Sequence, residues 1–333
     1  VRPFLFLFGC LALVGCHAAP APKTPPLPPL VADRALLASA EGSAPDEPPA
    51  VEAVSLFGEA LDRAPLRSAV RAEREARLAA AQAAVDAHPN DPESADALLA
   101  LGRRLAELGR YRDAVEVFGR GVEQLPQDPR FLRHRGQRLI TLRRFDLAGA
   151  DLDKAASLIQ GRPDEPEDGG YTLQGSIWYY LGIFRSLRGD FAGAADAFRE
   201  SLARAHEPDP QVASSQWLYL TLRRLGRGED AARLLEPITN DMAVLENRPY
   251  HWLLLMEKGQ MPPEALLGFV GQDDLDPATL GYGVGAWYLA AGKQDEAVRL
   301  FRLVLSRGQW MALGHIAAEA ELKRLGLPPR VGG

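Results

Sequence analysis

LGRRLAELGRYRDAVEVFGRGVEQLP occupies Leu101–Pro126, and LGIFRSLRGDFAGAADAFRESLARA occupies Leu181–Ala205. The two stretches share one skeleton. Leu98, Leu101, Gly102, Leu105, Ala114, Phe118, Gly121 and Pro126 define the offsets of the first. Trp178, Leu181, Gly182, Ala194, Phe198 and Ser201 take the same offsets in the second, and Leu132, Gly136, Leu139, Ala148, Leu152 and Ala155 take them in between. Within a unit, Ala114, Phe118, Gly121 and Val122 recur at i, i+4, i+7 and i+8, which is one stripe of a helix. Gly102 and Ala114 are small where two helices must cross closely, and Leu101, Leu105 and Phe118 fill the space around the crossing. Gly109 stands where the first helix must stop.

These residues resemble the tetratricopeptide repeat, a helix-turn-helix unit of about 34 residues with small residues at the helix crossing. Gly102 to Gly136 spans 34 residues; Gly136 to Gly182 spans 46, the surplus being GRPDEPEDGGYT, Gly161–Thr172. Tyr219, Trp252 and Gly285 mark three further units, the fifth degenerate. Asp-Pro pairs at Asp91, Asp128, Asp209 and Asp276 read as helix starts, with Asp as N-cap and Pro preorganised for the first turn. One such unit cannot bury its apolar stripe alone, whereas stacked units bury one another. The expected fold is all-α: a superhelical solenoid of about six helix pairs over 89–333, closed by an amphipathic capping helix, Met311–Leu325. Residues 51–88, rich in Ala and Arg, read as two helices that either cap the first repeat or pair with another chain.

The first fifty residues read differently. Arg2 precedes an apolar stretch, Phe4–Val14, too short to span a bilayer, which needs ~20 residues. It ends in Leu13-Val14-Gly15-Cys16, which resembles the bacterial lipobox; Leu7-Phe8-Gly9-Cys10 is a weaker second candidate. The resemblance implies a signal peptide over 1–15, cleavage before Cys16 and acylation of its thiol. Several acyl chains would anchor the protein firmly, and His17, where inner-membrane lipoproteins carry Asp, points to the outer membrane. Residues 16–50, with nine prolines, read as an extended tether rather than a folded domain.

Cys10 and Cys16 are the sole cysteines, so the body has no thiol for disulfide, metal or nucleophile chemistry. The net charge of −6 argues against a nucleic-acid partner. His88, His134, His206, His251 and His315 show no metal-ligand spacing, and no H-E-x-x-H or G-x-S-x-G occurs. GYGVGAWYLAAGK, Gly281–Lys293, has glycines but lacks the spacing and hydroxyl of a phosphate loop, so they read as helix-crossing residues. The acidic Asp164–Asp168 run lacks a calcium-loop pattern and reads as a solvated insertion. No catalytic residue, metal or cofactor is expected.

What remains is a surface. The first helix of each repeat is expected to line a concave groove, placing Leu99 and Arg103, Arg133 and Gln137, and Tyr179 and Ile183 on it. Basic, amide and aromatic groups in file suit an extended peptide with an acidic or C-terminal carboxylate element; the alternative is an ordinary solvated helix face.

The order of SSQWLYLTLRRLGRGEDAARLL, HWLLLMEKGQMPPEALL, WYLAAGKQDEAVRLFRLVL and LGHIAAEAELKRLG, within Ser214–Gly326, resembles the NlpI-type lipoproteins. That resemblance implies an outer-membrane adaptor facing the periplasm, which brings a tail-specific protease to peptidoglycan endopeptidases or scaffolds cell-wall hydrolases, and which dimerises through N-terminal helices. The composition of 51–88 and the insertion at Asp164 depart from the family. A second reading is a pilotin-like or assembly lipoprotein for a pilus, secretion or outer-membrane machine.

Overall fold

Gly102 marks the first of a series of helix crossings that share one register. In the computed structural model, which describes residues 51–87, 95–268 and 276–330, a Cβ on Gly102 would lie 2.3 Å from the ring of Phe118, sixteen residues on. Gly136 meets Leu152 in the same way, Gly182 meets Phe198, and Gly285 meets Phe301. The residue twelve on from each glycine is a fully buried alanine: Ala114, Ala148, Ala194 and Ala297. Close helix approach thus needs a missing Cβ on one side and a methyl on the other, and the sequence supplies both in phase.

The units are helix pairs: α2 (Ala95–Glu107) with α3 (Tyr111–Gln124), α4 (Pro129–Thr141) with α5 (Phe145–Leu158), and α6 (Leu173–Arg188) with α7 (Phe191–Leu202). Then come α8 (Pro208–Arg224) with α9 (Gly228–Leu234), α10 (Arg248–Glu257) with α11 (Pro263–Leu267), and α12 (Asp276–Ala290) with α13 (Gln294–Ser306). The fold is the expected all-α solenoid of six pairs. In the fourth, Tyr219 replaces the glycine while Ala231 and Leu235 keep the other two positions buried. In the fifth, the register runs through Leu254 and Leu266, both fully buried, rather than through Trp252, which is half-buried.

Helix ends follow local chemistry. Asp128 accepts the Arg130 N–H at 3.0 Å with Pro129 at the first helical position; Thr172 caps α6 and Asp190 caps α7 through Gly175 and Gly193 N–H groups. Asp209 departs from the expected capping role. Helix α8 begins two residues earlier than expected, at Pro208, and the buried Asp209 carboxylate accepts the N–H groups of Leu245, Glu246 and Asn247, pinning a distant loop. Asp91 lies outside the described residues. Gly109 and Gly189 end the first helices of their units with φ of 73° and 85°. The equivalent place in the second unit holds Arg143 with φ 59°, a conformation that costs a side-chain-bearing residue about 1–2 kcal/mol.

Two elements differ from expectation. Residues 51–62 form an antiparallel hairpin, β1 (Val51–Val54) and β2 (Ala60–Asp62), followed by a single helix, α1 (Ser68–Ala87), where two helices were expected. The reason is local: the valines favour strands, Ser55 Oγ accepts the N–H groups of Phe57 and Glu59, and Gly58 turns with φ 86°. The last helix, α14 (Leu313–Arg324), packs on α12 and α13 as a cap should, but also on α6. Every residue from Gly314 to Leu322 is buried, so it is no amphipathic surface helix. Gly314 lets it touch the α12 backbone, where a Cβ would lie 2.2 Å from the Ala278 carbonyl oxygen.

The hairpin joins both ends of the solenoid. Glu52 accepts the Arg112 N–H of α3 at 2.7 Å; Leu56 N–H donates to Glu319 of α14, Lys323 donates to the Leu56 carbonyl, and Trp310 Nε1 donates to the Asp62 carbonyl at 2.7 Å. Inside, a file of aromatic contacts runs Tyr179–Phe198–Trp217–Tyr282–Phe301, with neighbouring centroids 5.5–6.2 Å apart. The described residues all belong to one compact unit, Ser43–Gly333. None of the described helices is long and apolar enough to cross a membrane.

Candidate peptide-binding cavity

The first helices of successive pairs present one face to a common cavity of about 690 Å³. Helix α2 supplies Leu99 and Arg103, α4 supplies Arg130, Arg133 and His134, and α6 supplies Ser176, Tyr179 and Tyr180. Asn247, Tyr250 and Leu313 close the far side. A volume of this size is ordinary for a ligand site.

Of the six residues expected on the groove, four line this cavity: Leu99, Arg103, Arg133 and Tyr179. Gln137 stands behind it, donating its amide to the Tyr180 hydroxyl at 2.6 Å. Ile183 is a correction. It is fully buried and belongs to the same core cluster as Ile316 and Ala320 of α14. The repeat register places it on the inner face of α6, but α14 packs there and fills what an open solenoid would leave as groove.

Arg133 is also less available than its position in the sequence implies. It pairs with Glu167, a residue of the Gly161–Thr172 insertion, with the two side chains 11% and 20% exposed. Glu167 accepts a second bond from Ser176 Oγ at 2.6 Å. The insertion is solvent-exposed over most of its length, as expected, but it is held in place by internal bonds. Pro166 bridges Thr172, Glu167 N–H donates to the Tyr171 carbonyl, and the buried Gln174 side chain binds both the Pro163 carbonyl and the Glu165 N–H. Its Pro166, Glu167 and Tyr171 form one wall of the cavity.

Local electrostatics keep the remaining groups in definite states. His134 stacks on Phe118 with centroids 5.2 Å apart. Burial first, then the Arg133 and Arg138 guanidinium groups, push its pKa well down, so the ring is neutral at pH 7. Arg130 is held by Asp128 and Asp96. Burial pushes the Tyr171, Tyr179, Tyr180 and Tyr250 phenols up, so all four are hydrogen-bonding hydroxyls. Tyr171 receives the Asn247 amide at 2.6 Å, and Trp217 Nε1 donates to Tyr250 at 3.3 Å.

The lining residues that sequence reasoning missed include Arg130, His134, Tyr180 and Tyr250 on helices and Glu167 and Asn247 on connections. The cavity offers hydrogen bonds, aromatic walls and guanidinium groups. It has no thiol, and its serine, Ser176, donates to the Glu167 carboxylate that Arg133 also holds. Among the described residues, no group of three or more His, Cys, Asp or Glu is placed to hold a metal ion.

The tetratricopeptide repeat family profile matches residues 95–138, α2 through most of α4. Crystal structures that resemble the chain include two of tetratricopeptide repeat proteins. YrrB, described as a TPR protein with an unusual peptide-binding site, is 13% identical, with a TM-score of 0.41 over 74% of this chain and 98% of that one. A tetratricopeptide repeat protein from Parabacteroides merdae is 15% identical, with a TM-score of 0.45 over 75% of this chain and 93% of that one. No curated protein matches the sequence.

Proposed function

We propose that this protein is a lipid-anchored, non-catalytic adaptor on the periplasmic side of the outer membrane, which captures an extended segment of a partner protein in the cavity between α2, α4 and α6. The observation that carries the binding reading is the cavity itself. Leu99 and Tyr179 make an apolar floor, Arg103 stands on its rim, and tyrosine hydroxyls surround it. The anchoring reading rests on the lipobox-like Leu13–Cys16, which lies outside the described residues. The partners that suit this reading are envelope enzymes, such as a periplasmic protease or a peptidoglycan hydrolase, whose encounter with a client rises when one of them is tethered.

The test is capture from native envelopes by crosslinking, with partners identified by mass spectrometry, together with membrane fractionation of a Cys16→Ser variant. The adaptor reading expects an envelope enzyme as partner and release of the Cys16→Ser protein from the membrane. Recovery of pilus, secretion or assembly subunits instead would replace it with an assembly role, and membrane retention of Cys16→Ser would remove the anchor.

A further inference from the structure

We infer that the cavity between the hairpin, α13 and α14 is a second binding site, which takes an aromatic group carrying an O–H or N–H donor, the chemistry of a tyrosine or tryptophan side chain. It shares no lining residue with the cavity between α2, α4 and α6, so the two sites stand or fall separately.

The volume is about 420 Å³, ordinary for a small ligand. Phe57 and Leu61 of the hairpin, Leu305 of α13 and Trp310 supply apolar walls. His315 and Glu319, one turn apart on α14, form the buried end, with side chains 6% and 2% exposed.

Glu319 fixes the state of the His315 ring. Its carboxylate accepts two bonds from Arg143 and one from the Leu56 N–H. Paired in this way it is ionised and has no proton to give. His315 Nε2, 3.2 Å from Glu319, is therefore the donor of that bond. In the neutral ring this leaves Nδ1 as a lone-pair acceptor. Nδ1 is buried and has no partner among the described residues, a cost that a donor entering the cavity would remove.

Other polar groups of the lining are already engaged. Ser55 Oγ accepts the Phe57 and Glu59 N–H groups, Ser306 Oγ donates to the Leu303 carbonyl, and Trp310 Nε1 donates to the Asp62 carbonyl. Arg302 donates to the Pro328 carbonyl, and Arg330 faces Glu59 at 3.5 Å. The buried end thus lacks one donor, beside apolar walls. A cationic donor finds no countercharge there, because Glu319 already serves Arg143. Water supplies the donor but leaves the apolar surface wet. A phenol or indole supplies the donor and covers that surface together.

The experiment titrates the purified, 15N-labelled full chain at pH 8, where imidazole is ordinarily neutral. The probes are p-cresol, toluene and the tripeptide Gly-Tyr-Gly, and the readouts are the histidine ring nitrogens and the Trp310 indole N–H. The wild type is expected to show His315 protonated on Nε2, an upfield move of Nδ1 with p-cresol, and p-cresol bound about three- to tenfold more tightly than toluene. His315→Leu should bring that ratio close to one. Ser306→Trp, at an exposed lining position away from Glu319, should lose both ligands by filling the space. Tighter binding of Gly-Tyr-Gly than of p-cresol marks a protein side chain as the source, and weaker or equal binding marks a free phenol; both fulfil the inference. No binding of p-cresol, equal affinity for p-cresol and toluene in the wild type, or a ring protonated on Nδ1 instead of Nε2 would overturn it. So would binding that persists in Ser306→Trp, because the ligand would then lie elsewhere. If His315→Leu does not fold, the wild-type ring and Ser306→Trp decide the matter.

Discussion

Arg143 and Glu319, 176 positions apart, meet at 2.8 Å with side chains only 3% and 2% exposed. Arg143 also donates to the Trp310 and Thr141 carbonyls and lies over the Trp310 ring at 5.5 Å. This one side chain ties the second repeat to the last helix, and it occupies the turn position that glycine holds in other units. The left-handed backbone at Arg143 is maintained because a glycine there would leave Glu319 buried without its guanidinium. Arg143→Met should cost about 3–5 kcal/mol, the usual result of stranding one partner of a buried pair. Arg143→Gly should recover roughly 1 kcal/mol of that by relieving the backbone. Denaturant unfolding at pH 7 measures both. A loss below about 1 kcal/mol in each would show that the pair does not hold the solenoid closed.

The same carboxylate makes the fold acid-sensitive. Burial alone would raise the Glu319 pKa, but the hydrogen bond from His315 and the Arg143 guanidinium outweigh it and hold the carboxyl at about 2. The unfolded chain, with an ordinary value of about 4.3, therefore binds the proton more tightly. The contribution to stability is full above that unfolded value and is lost as pH falls towards 2, and it amounts to about 3 kcal/mol. Unfolding curves between pH 6 and 2 should show this limb, and Glu319→Gln should flatten it. An acid limb of equal slope in the variant would assign the sensitivity to other carboxyls.

Glu257 predicts the opposite dependence. One of its oxygens accepts the Gln216 amide at 2.9 Å, and the other is buried without a partner. Burial pushes this carboxyl well up, against the smaller opposing effects of Gln216 and Arg223. The folded state then keeps a proton that the unfolded state releases, so stability falls as pH rises from the ordinary carboxyl value towards the raised one. Glu257→Gln should be more stable than the wild type at pH 8, and the difference should shrink by pH 4. A variant less stable at both values would mean the carboxylate is ionised and paired in the folded chain.

Gly182→Ala tests the shared register. Alanine is the better helix former by about 1 kcal/mol, yet its Cβ would lie 2.6 Å from the fully buried Phe198 ring. Overpacking at a site that cannot yield should outweigh propensity, for a net loss of about 1–3 kcal/mol by thermal or chemical denaturation. Neutral or improved stability would mean the helices can separate at the crossing.

The sequence shows the repeat clearly because the crossing geometry demands small residues at fixed phase, and Gly102, Gly136, Gly182 and Gly285 supply them. Leu99, Arg103, Arg133 and Tyr179 were legible as lining residues for the same reason, since they ride on those helices. Ile183 was misplaced because α14 returns to the inner face of α6, a contact between residues more than a hundred positions apart that no local pattern records. Glu167 was missed because the insertion breaks the period. Its place against Arg133 depends on the turn at Pro166–Thr172 and the grip of Gln174. The hairpin at Val51–Asp62 is too short for its alternation to stand out from the helical residues that follow.

The central claim is that a partner protein enters the cavity between α2, α4 and α6. The most direct measurement is photocrosslinking in native membranes from a benzoylphenylalanine placed at Arg103, on the cavity rim, and at Glu123, an exposed position on α3 outside it. A discrete partner crosslinked from position 103 and absent from position 123 is the predicted result. Capture from position 123 with none from position 103 would contradict the claim and place the binding surface elsewhere on the repeats.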